Sequence, residues 1–187
     1  MEPFVRFRDD RERLYEVVDL TPRPASASQT VISVVMEIEH ANNAGYVHGG
    51  TIMRLVDTAA GIAAARHARR RVVTAAMDDM SFLSPVYIGD LVTVRAMVND
   101  AHRTSMEIGV RVDVETVPTG ETRRVATAHL VFVGIDEAGR PTAVPPVIAV
   151  TDDEKRRQAQ ARVRREQRLI RKRALAEAAG GGSAQEE

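Results

Sequence analysis

One apolar helical pattern stands in a stretch that otherwise reads as strands, and that ratio limits the folds open to the chain. Ile52, Leu55, Val56, Ala59, Ala60 and Ala63 recur at helical spacing and leave little polar surface in the middle of the helix. The pattern runs about five turns, to Arg66, His67 and Arg70, where cations suit the negative helix terminus. Before it, residues 30–39 read as a strand. After it, residues 72–82, 91–98, 105–117 and 123–135 are β-rich. Val92, Val94, Ala96 and Val98, then Met106, Ile108, Val110, Val112 and Val114, alternate with Arg95, Glu107, Arg111, Asp113 and Glu115. Such alternation predicts an antiparallel sheet with one core face and one wet face. Short links at residues 100–103, 118–120 and 137–141 fit hairpin-type connections. The helix must be covered nearly all round, and the sheet is the element available to cover it. The expected fold is α+β, a curved antiparallel sheet wrapped around one central helix.

Within the helix, the acid Asp57 sits among residues that favour burial. An unpaired buried carboxylate is costly, so Asp57 either pairs with a helix-end donor or Arg66, or it works as an acid or base. Just before it the chain reads Asn42-Asn43-Ala44-Gly45-Tyr46-Val47-His48-Gly49-Gly50. The N–H groups of Gly49 and Gly50 open the helix, and unpaired donors there suit an anion.

The run Ala41-Asn42-x-Ala44-Gly45-x-Val47-His48-Gly49-Gly50-Thr51-Ile52, followed by Asp57, resembles the signature of hot-dog-fold acyl-CoA thioesterases. The likeness is to the acyl-CoA hydrolase branch that includes the brain-type enzyme. Val72-Val73-Thr74-Ala75, Phe82-Leu83-Ser84-Pro85, Ile88-Gly89-Asp90, Thr104-Ser105-Met106-Glu107-Ile108 and Val144-Pro145-Pro146 extend it over residues 25–150. The resemblance implies hydrolysis of acyl-CoA to a fatty acid and free CoA, with no cofactor and CoA only as part of the substrate. Asp57 is the candidate general base, or else attacks directly to give an anhydride. Gly49 is the candidate oxyanion donor. Asn42 matches the catalytic-site asparagine of the brain-type enzyme, and an Asx turn is the equal alternative. His48 and Gly50 contact substrate or shape the loop, and the resemblance places Arg103, Thr104 and Ser105 against the CoA arm. A thioester expels a thiolate, so one carboxylate suffices. A sensor that binds acyl-CoA and touches nucleic acid through its tail is the rival reading, with a dehydratase weaker still.

Gly49 and Asp57 are eight residues apart, roughly 12 Å along one helix. A thioester carbonyl and its attacking water span only ~3 Å. One chain cannot present both groups, whereas a two-fold dimer with antiparallel helices does. The resemblance implies the same, with two or three dimers associating, up to a hexamer.

The chain has no cysteine, which excludes disulfides, a thiolate metal site and a cysteine nucleophile. His40, His67, His102 and His129 lack metal-ligand spacing, so no metal site is expected. The first ten residues are charged, without a leader's apolar core, and no stretch has the length of a membrane span, so a cytoplasmic protein is expected. Residues 1–24 read as an arm, 25–150 as the catalytic domain and 151–187 as a basic helical tail ending in a flexible Gly/Ser segment. Formal charge is zero, from 26 basic and 26 acidic side chains, but the bases crowd into that tail. Val163, Leu169, Ile170 and Leu175 give it a thin apolar seam. A solvated helix on the oligomer surface is expected, rather than a nucleic-acid contact.

Overall fold

The computed structural model describes residues 19–180, so most of the expected arm and the Gly/Ser end of the tail lie outside the described residues. The main sheet holds five antiparallel strands: β2 (Thr30–Val35), β3 (Val72–Phe82), β4 (Leu91–Ala101), β5 (Ser105–Thr116) and β6 (Glu121–Gly134), in the order β2-β4-β5-β6-β3. A small parallel pair, β1 (Arg23–Pro24) and β7 (Val147–Ile148), stands apart from it. The first strand of the main sheet is shorter than the sequence suggests. It stops at Val35, and Ile38–His40 form a 3-10 turn that feeds the glycine loop.

The helix α1 (Gly49–Ala68) lies against the sheet, burying Ile52, Val56, Ala59, Ala60, Ala63 and Ala64. Alanines along this face let the backbone approach the sheet, where they share one buried cluster with Val92, Val94, Val98, Ile108 and Val112. The hot-dog arrangement expected from the pattern is therefore present. β3 is an edge strand, paired only with β6, and it carries bulges after Thr74 and Met77. Val73 and Phe82 are exposed on it.

Two expectations need correction. His67 is not a cation at the helix end: it is fully buried, with Nε2 2.9 Å from the Pro145 carbonyl, and burial pushes its pKa below the ordinary value. A charged ring there would lose its hydration. The outer face of the sheet is also not simply wet. Glu107 and Asp113 are buried, the latter held by Arg95 at 2.9 Å and Arg111 at 2.8 Å.

Glu107 is covered by the C-terminal helix α2 (Asp152–Gly180), which docks on the molecule's own sheet through polar contacts. Arg164 reaches Glu107 at 2.7 Å, Gln158 reaches Asp100 at 2.9 Å, and Arg168 pairs with Asp78. The expected apolar seam does not pack on the sheet: Val163, Leu169, Ile170 and Leu175 are exposed, while Glu154 and Ala161 are buried. Glu154 accepts from the N–H groups of Val150 and Thr151, which caps the start of the helix.

Candidate active site

Asp57 lies half-buried in the middle of α1, where the helix passes β3. Thr74, on β3, donates its hydroxyl to Oδ1 of Asp57 at 2.8 Å. Arg66, the structural partner considered from sequence, donates instead to the Gln29 carbonyl. Thr74 belongs to a quoted motif, but its sequence gives it no assigned role. Only the strand–helix crossing shows what it does.

The loop before the helix is built by its own polar groups. Oδ1 of Asn42 accepts from the N–H groups of Ala44 at 2.8 Å and Tyr46 at 3.2 Å, the Asx turn foreseen as one alternative. Gly45 supplies the left-handed backbone this turn needs, at φ 82°. With its carbonyl oxygen so engaged, Asn42 retains its amide donors for a ligand. Val47 ties the loop down by donating its N–H to the Val86 carbonyl at 2.9 Å.

His48 is the N-cap of α1. Its Nδ1 accepts the Gly50 N–H at 2.9 Å, and its carbonyl accepts the Thr51 N–H at 2.9 Å. With Nδ1 accepting, Nε2 is the ring nitrogen left to donate. This corrects the expectation of two outward glycine donors, because the Gly50 N–H is taken by the cap. Among the described residues the Gly49 N–H has no acceptor, and it sits at the positive end of a helix of 20 residues. The two glycines also differ sterically. A Cβ on Gly50 would meet His48 Nδ1 at 3.0 Å, whereas one on Gly49 would make only ordinary contact with the Phe82 ring at 3.6 Å.

Arg103, Thr104 and Ser105 form the tip between β4 and β5, fixed by main-chain bonds from Val144 to the Arg103 carbonyl and from Gly134 to that of Thr104. The Arg103 side chain is exposed. Gly134 pairs with Val72, the first residue of β3, while Gly49 lies against Phe82, the last. Within one chain the tip and the glycine loop thus sit at opposite ends of α1. Asn42, His48, Gly49 and Gly50 come together; Asp57 pairs with Thr74; the tip stands apart from both.

The thioesterase superfamily profile matches residues 44–121, which take in the glycine loop from Ala44 on, Asp57, Thr74 and the tip but not Asn42. An uncharacterized acyl-CoA thioester hydrolase of Bacillus subtilis is 42% identical over 113 residues, 60% of this chain and 66% of that protein. An uncharacterized acyl-CoA thioester hydrolase of Zymomonas mobilis is 39% identical over 123 residues, 66% of this chain and 83% of that protein. The chain spans only 38% of the mouse cytosolic acyl coenzyme A thioester hydrolase, to which it is 34% identical. Among solved structures, the Staphylococcus aureus acyl-CoA hydrolase in complex with butyryl coenzyme A and coenzyme A superposes with a TM-score of 0.78 at 32% identity, over 85% of this chain and 98% of that one. Alanine variants of the Staphylococcus protein have been solved at an asparagine, an aspartate 15 residues later and a threonine 17 residues beyond that.

Proposed function

The chain belongs to the thioesterase superfamily, and from that premise we propose that it hydrolyses acyl-CoA to a fatty acid and free CoA, at a site shared between two subunits. The observation that carries this reading is the Asp57 carboxylate, half-buried in the central helix and held at Oδ1 by Thr74. Asn42, Asp57 and Thr74 stand at the same separations, 15 and 17 residues, as the three positions varied in the Staphylococcus enzyme. With Oδ1 anchored, Oδ2 takes the proton of a water that attacks the thioester carbonyl. The Gly49 N–H of the facing subunit stabilises the oxyanion, and the Asn42 amide donates to the water or to the same oxygen. Collapse of the tetrahedral intermediate expels the CoA thiolate, and the proton held on Asp57 passes to the departing sulfur or to solvent.

The length of α1 supports the sharing, since Gly49 and Asp57 are separated by roughly 12 Å along it. β3 supports it, as an edge strand with exposed Val73 and Phe82 available to a second copy. Hexameric acyl-CoA thioesterases among the structural neighbours fit further association of such dimers. No helix among the described residues is long and apolar enough to cross a membrane. Arg164 and Arg168 of the basic tail are paired with the sheet's own carboxylates, which withdraws those two cations from the nucleic-acid contact that the sensor reading requires.

A thiol-release assay across acyl-CoAs of increasing chain length tests the proposal. Turnover of at least one of them, abolished in Asp57→Ala, is the expected result. No release from any would overturn it.

A further inference from the structure

Asp90 is a buried acid that the proposed reaction does not use. It closes the connection between β3 and β4, residues 83–90. Its Oδ2 accepts the Tyr87 N–H at 3.0 Å and an Arg123 guanidinium N–H at 3.1 Å, and its Oδ1 accepts the Thr116 hydroxyl at 3.3 Å. A carboxylate taken out of water needs such partners. The cation among them comes from β6, 33 positions along the chain.

Arg123 grips both ends of this connection. Nη1 donates to the Ser84 hydroxyl at 2.8 Å and to the Pro85 carbonyl at 2.7 Å, while Nη2 holds Asp90. The guanidinium carbon also lies 5.6 Å from the centre of the Tyr87 ring, within range of a cation–π contact. A planar fork with donors on two nitrogens spans the two ends together, which the single ammonium of a lysine does not.

The glycine loop hangs on the segment that Arg123 clamps. The Val86 carbonyl accepts the Val47 N–H at 2.9 Å, Tyr46 forms a β-bridge with Tyr87, and the rings of the two tyrosines pack with centroids 5.5 Å apart. Val47 and Val86 are both buried. Asn42 accepts from the N–H of that same Tyr46, and Gly49 follows Val47 by two residues. Both donors assigned to the oxyanion side are thus tethered to residues 83–90. Asp57 is held elsewhere, by Thr74 of β3.

We propose that Arg123, acting with Asp90, is a positioning residue for the oxyanion half of the site: it sets where the Gly49 N–H and the Asn42 amide stand without touching substrate. This rests on the reading of the chain as an acyl-CoA hydrolase whose site is shared between subunits. Donors aimed at a developing oxyanion act in the transition state, so moving them by about 1 Å lowers kcat and leaves the binding of substrate elsewhere in place. The lesion therefore travels with Gly49 and not with Asp57.

The test is Arg123→Lys in the full chain, which keeps a cation for Asp90 and gives up the second grip, with circular dichroism and light scattering confirming fold and assembly. Ser84→Ala, which removes one contact and leaves Asp90 paired, carries the same kinetic and exchange readouts should Arg123→Lys not fold. On an acyl-CoA that the parent hydrolyses, kcat should fall about tenfold or more in Arg123→Lys and less in Ser84→Ala, with KM within about twofold. The pH at which kcat rises should not move, because that limb belongs to Asp57. Deuterium exchange should quicken in peptides covering residues 41–50 and stay unchanged over residues 72–80.

Complementation then locates the lesion. Co-expressed in equal amounts with Asp57→Ala, Arg123→Lys should give about a quarter of parental activity, because each mixed dimer holds one site with an intact Asp57 and an intact glycine loop. With Gly49→Pro, which deletes the oxyanion N–H, a tenfold-impaired Arg123→Lys should give only about a twentieth. A rise in KM with kcat unchanged, parental exchange over residues 41–50, or failure to complement Asp57→Ala would overturn the proposal where Asp57→Ala and Gly49→Pro complement each other. If that control pair fails in proven mixed dimers, the shared site falls, and the kcat loss with faster exchange over 41–50 still supports Arg123 as the positioning residue. If the parent hydrolyses no acyl-CoA, the proposed activity fails, while faster exchange confined to 41–50 keeps Arg123 as the anchor of the glycine loop.

Discussion

Thr74 fixes what Asp57 can do, because a hydroxyl on Oδ1 leaves the second oxygen as the carboxylate's working atom. Asp57→Ala should lower kcat by more than ~10²-fold with the fold intact, as loss of a general base usually does. Thr74→Ala should give a smaller loss, about tenfold, that Thr74→Ser largely restores; steady-state kinetics on the three variants checks the order. Asp57 was legible in the sequence because an acid among alanines is conspicuous. Thr74 was not, since a threonine in a strand is ordinary and its meeting with Asp57 depends on where β3 crosses α1, beside a bulge. His48 and Gly50 are linked in the same way. A Cβ on Gly50 would sit 3.0 Å from the ring that caps it, so the ring must shift by a few tenths of an ångström to admit it, whereas His48→Ala removes the cap outright, costing about 1 kcal/mol. Denaturation of the His48→Ala variant measures that loss.

The two helices differ in how far their sequences disclosed them. α1 ran within two residues of its expected end because its apolar spacing is its docking face. α2 was expected to lie solvated on the oligomer surface; most of it is exposed, and it docks on the chain's own sheet through Arg164, Gln158 and Arg168, whose partners are carboxylates distant in sequence. No periodicity within a helix reveals an ion pair with a sheet. Arg164→Ala leaves Glu107 buried with only the Asn99 amide, and should cost about 3 kcal/mol, read as a lower thermal midpoint at fixed protein concentration. The end of α1 gives a pH dependence. Because the folded pKa of His67 is depressed, both states are neutral well above 6.5 and His67 contributes no pH slope there. As pH falls through 6.5 the unfolded chain takes up a proton that the buried ring refuses, so stability should drop until the folded pKa is reached. Below it the loss levels off. Glu154 adds a loss of the opposite origin at lower pH: hydrogen bonding from Thr151 depresses its pKa, so its stabilisation is present above 4.5 and disappears as pH falls through the folded value. Replacing His67 with Gln should flatten the upper limb alone in melts across pH.

At the scale of the molecule, the question is whether one chain is a complete catalyst. Gly49 is the first residue of α1, preceded by His48 at φ −63° and ψ 129°, a backbone that accepts a following proline. Gly49→Pro therefore removes the single N–H assigned to the oxyanion and leaves the helix start in place. It should cost ~10²–10³-fold in kcat with helix content unchanged by circular dichroism. Asp57→Ala and Gly49→Pro subunits are then each inactive alone, for different reasons. If each site draws Asp57 from one subunit and Gly49 from its partner, a mixed dimer has one site with both lesions and one with neither. Random assembly of equal amounts makes half the dimers mixed, so co-expression should restore about a quarter of parental activity. A site built within one chain would carry a lesion in every copy, and the mixture would stay inactive however well the subunits exchange. Two affinity tags purified in tandem prove that both lesions share one assembly, which separates a shared site from failed assembly: free dimers so purified should reach about half of parental activity, and dimers associated further should stay near a quarter.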